Sequence, residues 1–347
     1  MKSTSTFAIA AISALALTAC GSGGSTGTRD SIRAVGSSTV YPFAKKVAED
    51  FTATHPQFKS PLIESTGTGG GMKLFCAGLG ANTPDIEDAS RRMKKAEFED
   101  CQKNGVTEVI ELQVGLDGIA FASSKGGITM NLTPKIVYEA LAAKPYGKAQ
   151  TTKTWKDVDP SLPNEPILMY GPPSTSGTRD ALKELILEKG CESNPEMQAL
   201  KKSDKDKFAQ VCTEVRSDGA YVDSGEQDNL IVQKIENNRK AIGVFGYSYL
   251  EENLSKLQDL PMNGVDATYD NISSFKYPGA RPLYVYYKKQ HVGVIPGLKE
   301  FIDQWTKSWT KGGQLAKVGF IASPDDVQAA NLKKVQDGTI MTGEGLE

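Results

Sequence analysis

Histidine is nearly absent: the 347 residues carry two, His55 and His291. That leaves little material for a histidine metal site or a Ser/His/Asp triad. Neither sign of charge dominates, since 40 Lys and Arg face 42 Asp and Glu, a net of -2. A protein held to nucleic acid by a global positive field is thereby excluded, and any anion must be bound locally. The chain has five cysteines, none in a C-x-x-C pair. No run is apolar for the roughly 20 residues that a spanning helix needs. What is present is 39% hydrophobic and 24% charged. That suffices for packed cores rather than wholesale disorder, and the length suits about two domains.

The first residues read as a processing segment. Lys2 supplies a positive start, and Phe7 to Leu17 is almost wholly apolar and small. Such a stretch suits the apolar part of a signal peptide. It ends in Leu17-Thr18-Ala19-Cys20, which resembles the lipobox of bacterial lipoproteins, in which the cysteine is lipidated and becomes the first residue. Gly21 to Asp30 is rich in Gly and Ser, the composition of a flexible tether. The expectation is a body on a lipid leash outside the cytoplasm. Localisation would be periplasmic, on a bacterial membrane.

Four cysteines remain: Cys76, Cys101, Cys191 and Cys212. An even number in an exported chain suggests disulfides, and four allow three pairings. Cys76–Cys101 and Cys191–Cys212 are favoured, because each closes a local loop, 25 and 21 residues apart. A metal site is the weaker rival, since no histidine lies near.

The chain alternates strand-like and helix-like stretches, with four loops between them. Ile32 to Val35 reads as a strand; Gly36-Ser37-Ser38-Thr39 follows, then a helix with Pro42 near its start and Phe43, Val47 and Phe51 on one face, ended by His55-Pro56. Gly67-Thr68-Gly69-Gly70-Gly71 feeds a helix with Met72, Phe75 and Leu79. Asp85 to Arg92 reads as a loop opening another helical stretch. Pro172 to Arg179 lies between the strand Ile167 to Tyr170 and a helix carrying Leu182, Leu185 and Ile186, which stops at Gly190.

Repeated strand–loop–helix units predict an α/β fold with largely parallel sheets, and ligands in such folds sit beyond the carboxyl ends of strands. Four loops of Ser, Thr and Gly meeting there would offer hydroxyls and free N–H groups at helix starts to an anion. Arg91 or Arg179 would add a charge-assisted contact. The plain alternative for each loop is helix capping, worth about 1 kcal/mol per cap. Gly67 to Lys73 fails both nucleotide templates: it lacks Gly-Lys-Ser/Thr, and Met72 stands where G-x-G-x-x-G needs its last glycine. A nucleotide enzyme is not expected.

Taken together, Gly36-Ser37-Ser38-Thr39-Val40-Tyr41-Pro42, Gly67 to Lys73, Asp88-Ala89-Ser90-Arg91 and Ser176-Gly177-Thr178-Arg179-Asp180 resemble, in order and spacing, the phosphate-binding protein of the bacterial phosphate ABC importer, the PstS family. Ala241 to Tyr247, and Tyr277-Pro278 with Arg281-Pro282-Leu283-Tyr284-Val285-Tyr286, extend the likeness from residue 32 to near the C-terminus.

The resemblance implies a two-lobed periplasmic binding protein of the Venus-flytrap kind, non-catalytic and without cofactor or metal, that closes over one phosphate and delivers it to a membrane permease. Residues 1–19 would be the signal peptide and 20–31 the tether with lipidated Cys20. Residues 32–115 and 278–347 would form one lobe and 116–277 the other, joined near Leu112 to Asp117 and Tyr277 to Leu283. By motif match the ligand set is Ser38, Thr39, Val40, Thr68, Gly69, Ser90 and Arg91, with Ser176, Gly177, Thr178 and Arg179 from the second lobe. A monomer with no nucleic-acid partner is expected.

Two departures from that pattern bear on specificity. Some relatives carry an Asp where this chain has Arg91, which accepts the proton of hydrogen phosphate and repels sulfate. The same relatives carry an Arg four residues before the Ser of Ser-Gly-Thr, where this chain has Pro172. Charge is then redistributed, with Arg91 replacing the missing arginine and Asp88, Asp117 or Asp180 as candidate acceptor. The rival readings are a receptor for another oxyanion such as sulfate, an exported phosphoester hydrolase, and an adhesive or scaffolding surface lipoprotein. Hydrolase chemistry wants metals or an activated nucleophile. Asp218, Asp223, Glu226 and Asp228 are the nearest thing to an acidic cluster, and they read more simply as a solvated loop.

Overall fold

The computed structural model describes residues 29–225 and 228–346. The signal-like segment, Cys20 and Glu226 lie outside them. In chain order the elements are β1 (Arg33–Gly36), α1 (Tyr41–Thr54), β2 (Leu62–Ser65), α2 (Thr68–Phe75), β3 (Ile86–Ala89), α3 (Lys95–Lys103), β4 (Val109–Ser124), α4 (Pro134–Leu141), α5 (Trp155–Val158), β5 (Met169–Gly171), α6 (Gly177–Ala181), β6 (Tyr221–Asp223), β7 (Ile242–Gly246), β8 (Leu257–Asp259), β9 (Ala280–Lys288) and β10 (Ile321–Ala322), with further helices between them.

Helix α1 forms where its apolar residues share one stripe: Phe43, Ala44, Val47, Ala48 and Phe51 are buried, and Pro42 sits in the first turn, where its missing N–H costs nothing. The helix ends at His55, whose N–H still bonds Phe51 O at 2.8 Å, just before Pro56. At the other site-bearing helix, Ser176 accepts a hydrogen bond from Thr178 N at 3.2 Å and so caps α6, which runs on as Leu182–Leu187 and Glu188–Cys191.

The strand order is β2-β1-β3-β9-β4-β7-β5-β6, with β8 and β10 also on β4. The sheet is mixed, not largely parallel. Pairs β1–β2, β1–β3, β5–β6 and β5–β7 are parallel, whereas β3–β9, β4–β9 and β4–β7 are antiparallel. The reason is the chain path. β4 is 16 residues long, lying against β9 from Val109 to Gly118 and against β7 from Ile119 to Ala122. One strand leads out of the first half of the fold and β9 brings the chain back beside it, so the two run in opposite directions.

Two bodies of core lie on either side of this crossing. Val114 and Leu283 pack with Phe43, Val47, Phe51 and Trp305. Leu116 and Tyr277 pack with Phe121, Tyr138, Trp155 and Phe245. A smaller cluster of Met72, Phe75, Cys76 and Cys101 covers the other face of the first sheet half. The disulfides Cys76–Cys101 and Cys191–Cys212 each close a local loop, and each loop of that size stabilises by about 3 kcal/mol through the unfolded chain.

The stretch Asp85 to Arg92 departs from expectation. Ile86-Glu87-Asp88-Ala89 is a fully buried strand, not a loop, and the next helix waits until Lys95. Three polar residues out of five, at positions 85, 87 and 88, hide the strand from an apolar-pattern reading. It is central in the sheet, paired with β1 on one side and β9 on the other.

Candidate functional site

Four loops meet at the carboxyl ends of β1, β2, β3 and β5. The first is joined to the second by Thr66 N donating to Gly36 O at 2.9 Å, and to the third by Ser37 N donating to Asp88 O at 2.6 Å. The second and third meet through Thr68, whose Oγ1 lies 3.2 Å from Ser90 Oγ and accepts from Ser90 N at 3.1 Å. The fourth meets the first where Gly177 lies against Thr39, so closely that a Cβ at 177 would overlap Thr39 N and Oγ1. Gly36 is needed at its corner for the same kind of reason: φ is +133° and a side chain there would run into the Asp88 carbonyl.

A cleft of about 490 Å³ opens beside this meeting point. Ser38, Thr39, Ser65 and Asp117 line it together with Ser176, Gly177 and Thr178. Val40 is wholly buried in the first core and does not line the cleft. Thr68, Gly69, Ser90 and Arg91 stand next to the cleft rather than on its wall. A Cβ at Gly69 would sit 3.9 Å from Arg91 Nη2.

The arginines divide in an instructive way. Arg91 is held by Glu97 in a two-pronged ion pair of 2.7 and 2.9 Å, which raises the Arg91 guanidinium pKa despite the opposing effect of burial and lowers that of Glu97 despite the same effect. Arg179 turns inward, with its guanidinium 4.3 Å from the centre of the Tyr221 ring and Nη1 donating to Pro172 O at 3.3 Å. The arginine that reaches the meeting of the loops is Arg281, on β9, only 3% exposed. Its Nη2 donates to Thr39 Oγ1 at 2.7 Å and to Gly177 O at 3.2 Å; Nε donates to Asp117 at 3.1 Å and Nη1 to Glu184 at 2.9 Å. Arg281 and Asp117 are register partners across β4 and β9, which is why they pair. Arg281 belongs to the family-like stretch Arg281-Pro282-Leu283-Tyr284-Val285-Tyr286 but is outside the ligand set that motif match gives. The available signal was its place within the expected crossing of Tyr277 to Leu283.

The three candidate carboxylates have different surroundings. Asp180 is 43% exposed in its side chain and pairs with Lys183 at 3.5 Å. Asp88 is buried with Oδ1 lacking a hydrogen bond, and burial pushes its carboxyl up to about 8. Its neighbour Glu87 is raised as well, by burial first and then by Asp88. Asp117 alone of the three lines the cleft. Elsewhere His291 is buried with Nδ1 2.7 Å from Asp85, and His55 stacks on Phe51 at 5.0 Å. Among the described residues no group of three or more His, Cys, Asp or Glu gathers as a metal site, and no helix is long and apolar enough to cross a membrane.

Two α/β lobes joined by crossing strands, with hydroxyls from both meeting at a cleft, define a periplasmic binding protein. Comparison agrees: the PBP superfamily domain model matches residues 21–306. The chain is 31% identical to Protein SphX of Synechococcus elongatus, over 91% of this chain and 85% of that one. It is 28% identical to the Phosphate-binding protein PstS of Staphylococcus saprophyticus, over 97% and 95%. It also resembles the crystal structure of a possible phosphate binding protein from Planctomyces limnophilus, with a TM-score of 0.69, 28% identity, and coverage of 89% and 98%. The chain belongs to the PBP superfamily and, within it, to the PstS family, a family of binding proteins and not of enzymes.

Proposed function

We propose that the protein is an exported receptor that binds inorganic phosphate in the interlobe cleft and hands it to the membrane permease of an ABC importer. The observation that carries this reading is the meeting of Ser38, Thr39, Ser176, Gly177 and Thr178 at one cleft, in a chain with relatives named as phosphate-binding proteins. A desolvated phosphate needs nearly all its lone pairs satisfied. Hydroxyls and N–H groups do this without a free cation, and the arginines nearby already have acidic or carbonyl partners. Ser38, Thr39 and the Val40 N–H would donate from one lobe, with Thr68, Gly69, Ser90 and Arg91 beside them. Ser176, Gly177 and Thr178 would donate from the other, backed by Arg179.

Asp117 is the proposed proton acceptor for hydrogen phosphate. It faces the cleft, whereas Asp180 turns to Lys183 and Asp88 keeps its own proton below about pH 8. Sulfate has no proton to give it and would be refused. The lobes would be 32–115 with 278–347, and 116–277, closing by a hinge at the β4–β9 crossing. Residues 1–19 would be removed, Cys20 lipidated and 20–31 left as a tether, placing a monomeric body in the periplasm on a membrane.

The test is titration calorimetry at pH 7 on protein starting after Cys20, stripped of ligand by unfolding and refolding, with phosphate and then sulfate. Tight one-to-one phosphate binding with no sulfate response is expected. Equal competition by sulfate would overturn the role of Asp117. No heat from either anion, or release of product from a phosphoester, would overturn the receptor reading.

A further inference from the structure

We propose that Arg281 is a positioning residue for the ligand: by donating to Thr39 Oγ1 it takes one of the hydroxyl's two lone pairs and so turns the Thr39 proton toward a bound anion. This inference rests on the phosphate-receptor reading. A threonine hydroxyl has one proton and two lone pairs, and it normally rotates to suit whatever partner arrives. Arg281 Nη2 occupies a lone pair at 2.7 Å. Among the described residues this is the hydroxyl's one hydrogen-bond partner, so its proton points elsewhere, and Thr39 lines the cleft.

The arginine is itself fixed. Four of its five N–H groups are engaged, by Asp117, Glu184, Thr39 and the Gly177 carbonyl, and the side chain is 4% exposed. A guanidinium held in this fork does not swing to follow a ligand. Its two acidic neighbours, Asp117 and Glu184, more than offset its charge. It therefore acts through Thr39 rather than as a free cation for the anion. The contacts come from both sides of the cleft: Thr39 belongs to the loop before α1, while Gly177 and Glu184 belong to the helical run that starts at α6. Arg281 and Thr39 belong to the same lobe, so the hydroxyl is oriented within it, and the contacts of Gly177 and Glu184 add a second lobe's hold on the same guanidinium.

The test is a double-substitution cycle read by phosphate titration on purified protein stripped of bound ligand, with melting curves to check folding. Arg281→Met and Thr39→Val should each weaken phosphate binding by about tenfold or more. The pair together should be no weaker than Thr39→Val alone, because the arginine has nothing left to orient. Thr39→Ser, which keeps the hydroxyl, should restore the full effect of Arg281→Met. If the two losses multiply, or if Arg281→Met binds within about twofold of the unaltered protein, the inference is overturned. If Arg281→Met does not fold, Arg281→Lys takes its place and is read by its coupling to Thr39 alone: any loss it causes should vanish in the Thr39→Val background, and losses that multiply overturn the inference. Absence of phosphate binding by the unaltered protein would instead overturn the receptor reading itself.

Discussion

Gly177 and Thr39 touch backbone to backbone, 138 residues apart in sequence, with no room between them for even a methyl group. Gly177→Ala should therefore hold the two sides of the cleft apart. Overpacking of this kind costs about 1–3 kcal/mol, and on the proposed hinge closure it falls on the arrangement in which the two loops touch. Phosphate affinity should fall by roughly tenfold while the melting temperature of the ligand-free protein stays near its original value. Calorimetric titration and a melting curve on the same sample check both halves. A variant that binds normally would mean that the contact is not part of the bound state.

Ser38→Ala and Thr178→Val each remove one hydroxyl from opposite walls. A hydrogen bond to a charged ligand is worth about 1.5–3 kcal/mol, so each should weaken phosphate about tenfold or more. The two should combine nearly additively, since they lie on different loops. Affinities unchanged in both would place the ligand elsewhere.

Asp117→Asn tests the choice of anion. It keeps the shape of the side chain but replaces an acceptor with a group that also donates. Phosphate should weaken and sulfate should begin to bind. Competition titration at pH 7 reads this directly, and continued refusal of sulfate would move the acceptor role to another group.

Asp88 predicts a pH dependence of stability. Unfolded, its carboxyl loses the proton near the ordinary value of 3.8; folded, burial holds the proton to about 8. Between those values the folded chain carries the extra proton, so this group's contribution to stability falls as pH rises through that window and is fully present below it. Glu87 adds to the same trend. Lys288, whose buried ammonium is lowered to about 7, acts in the opposite direction above that pH, so the informative quantity is the difference between unaltered protein and Asp88→Asn. That variant should gain in relative stability from pH 5 to pH 8, measured as melting temperature without ligand. A difference independent of pH would show that Asp88 does not carry the proton.

Much of the framework was legible because it is local. The stripe of Phe43, Val47 and Phe51, the punctuation by Pro42 and Pro56, and the Ser-Gly-Thr helix start at 176–178 depend on neighbours a few residues away. The strand Ile86–Ala89 was not legible. Its acidic residues stand buried in the sheet centre, where burial raises the carboxyls of Glu87 and Asp88, and no pattern of apolar residues records that.

The amino-acid sequence alone determined the α/β class and the loops rich in Ser, Thr and Gly, because these follow from short-range pattern and spacing, and the family entered through the resemblance of those loops to known ones. Tertiary structure alone decided which arginine reaches the meeting of the loops. Arg91, Arg179 and Arg281 carry the same charge and the same donors. One is bound by Glu97, one lies on Tyr221, and the third stands between Thr39 and Gly177. That last place follows from the register that sets Arg281 opposite Asp117 across two strands 164 residues apart in sequence. Register between such distant strands is set by the packing of both lobes together, and no local stretch of sequence contains it.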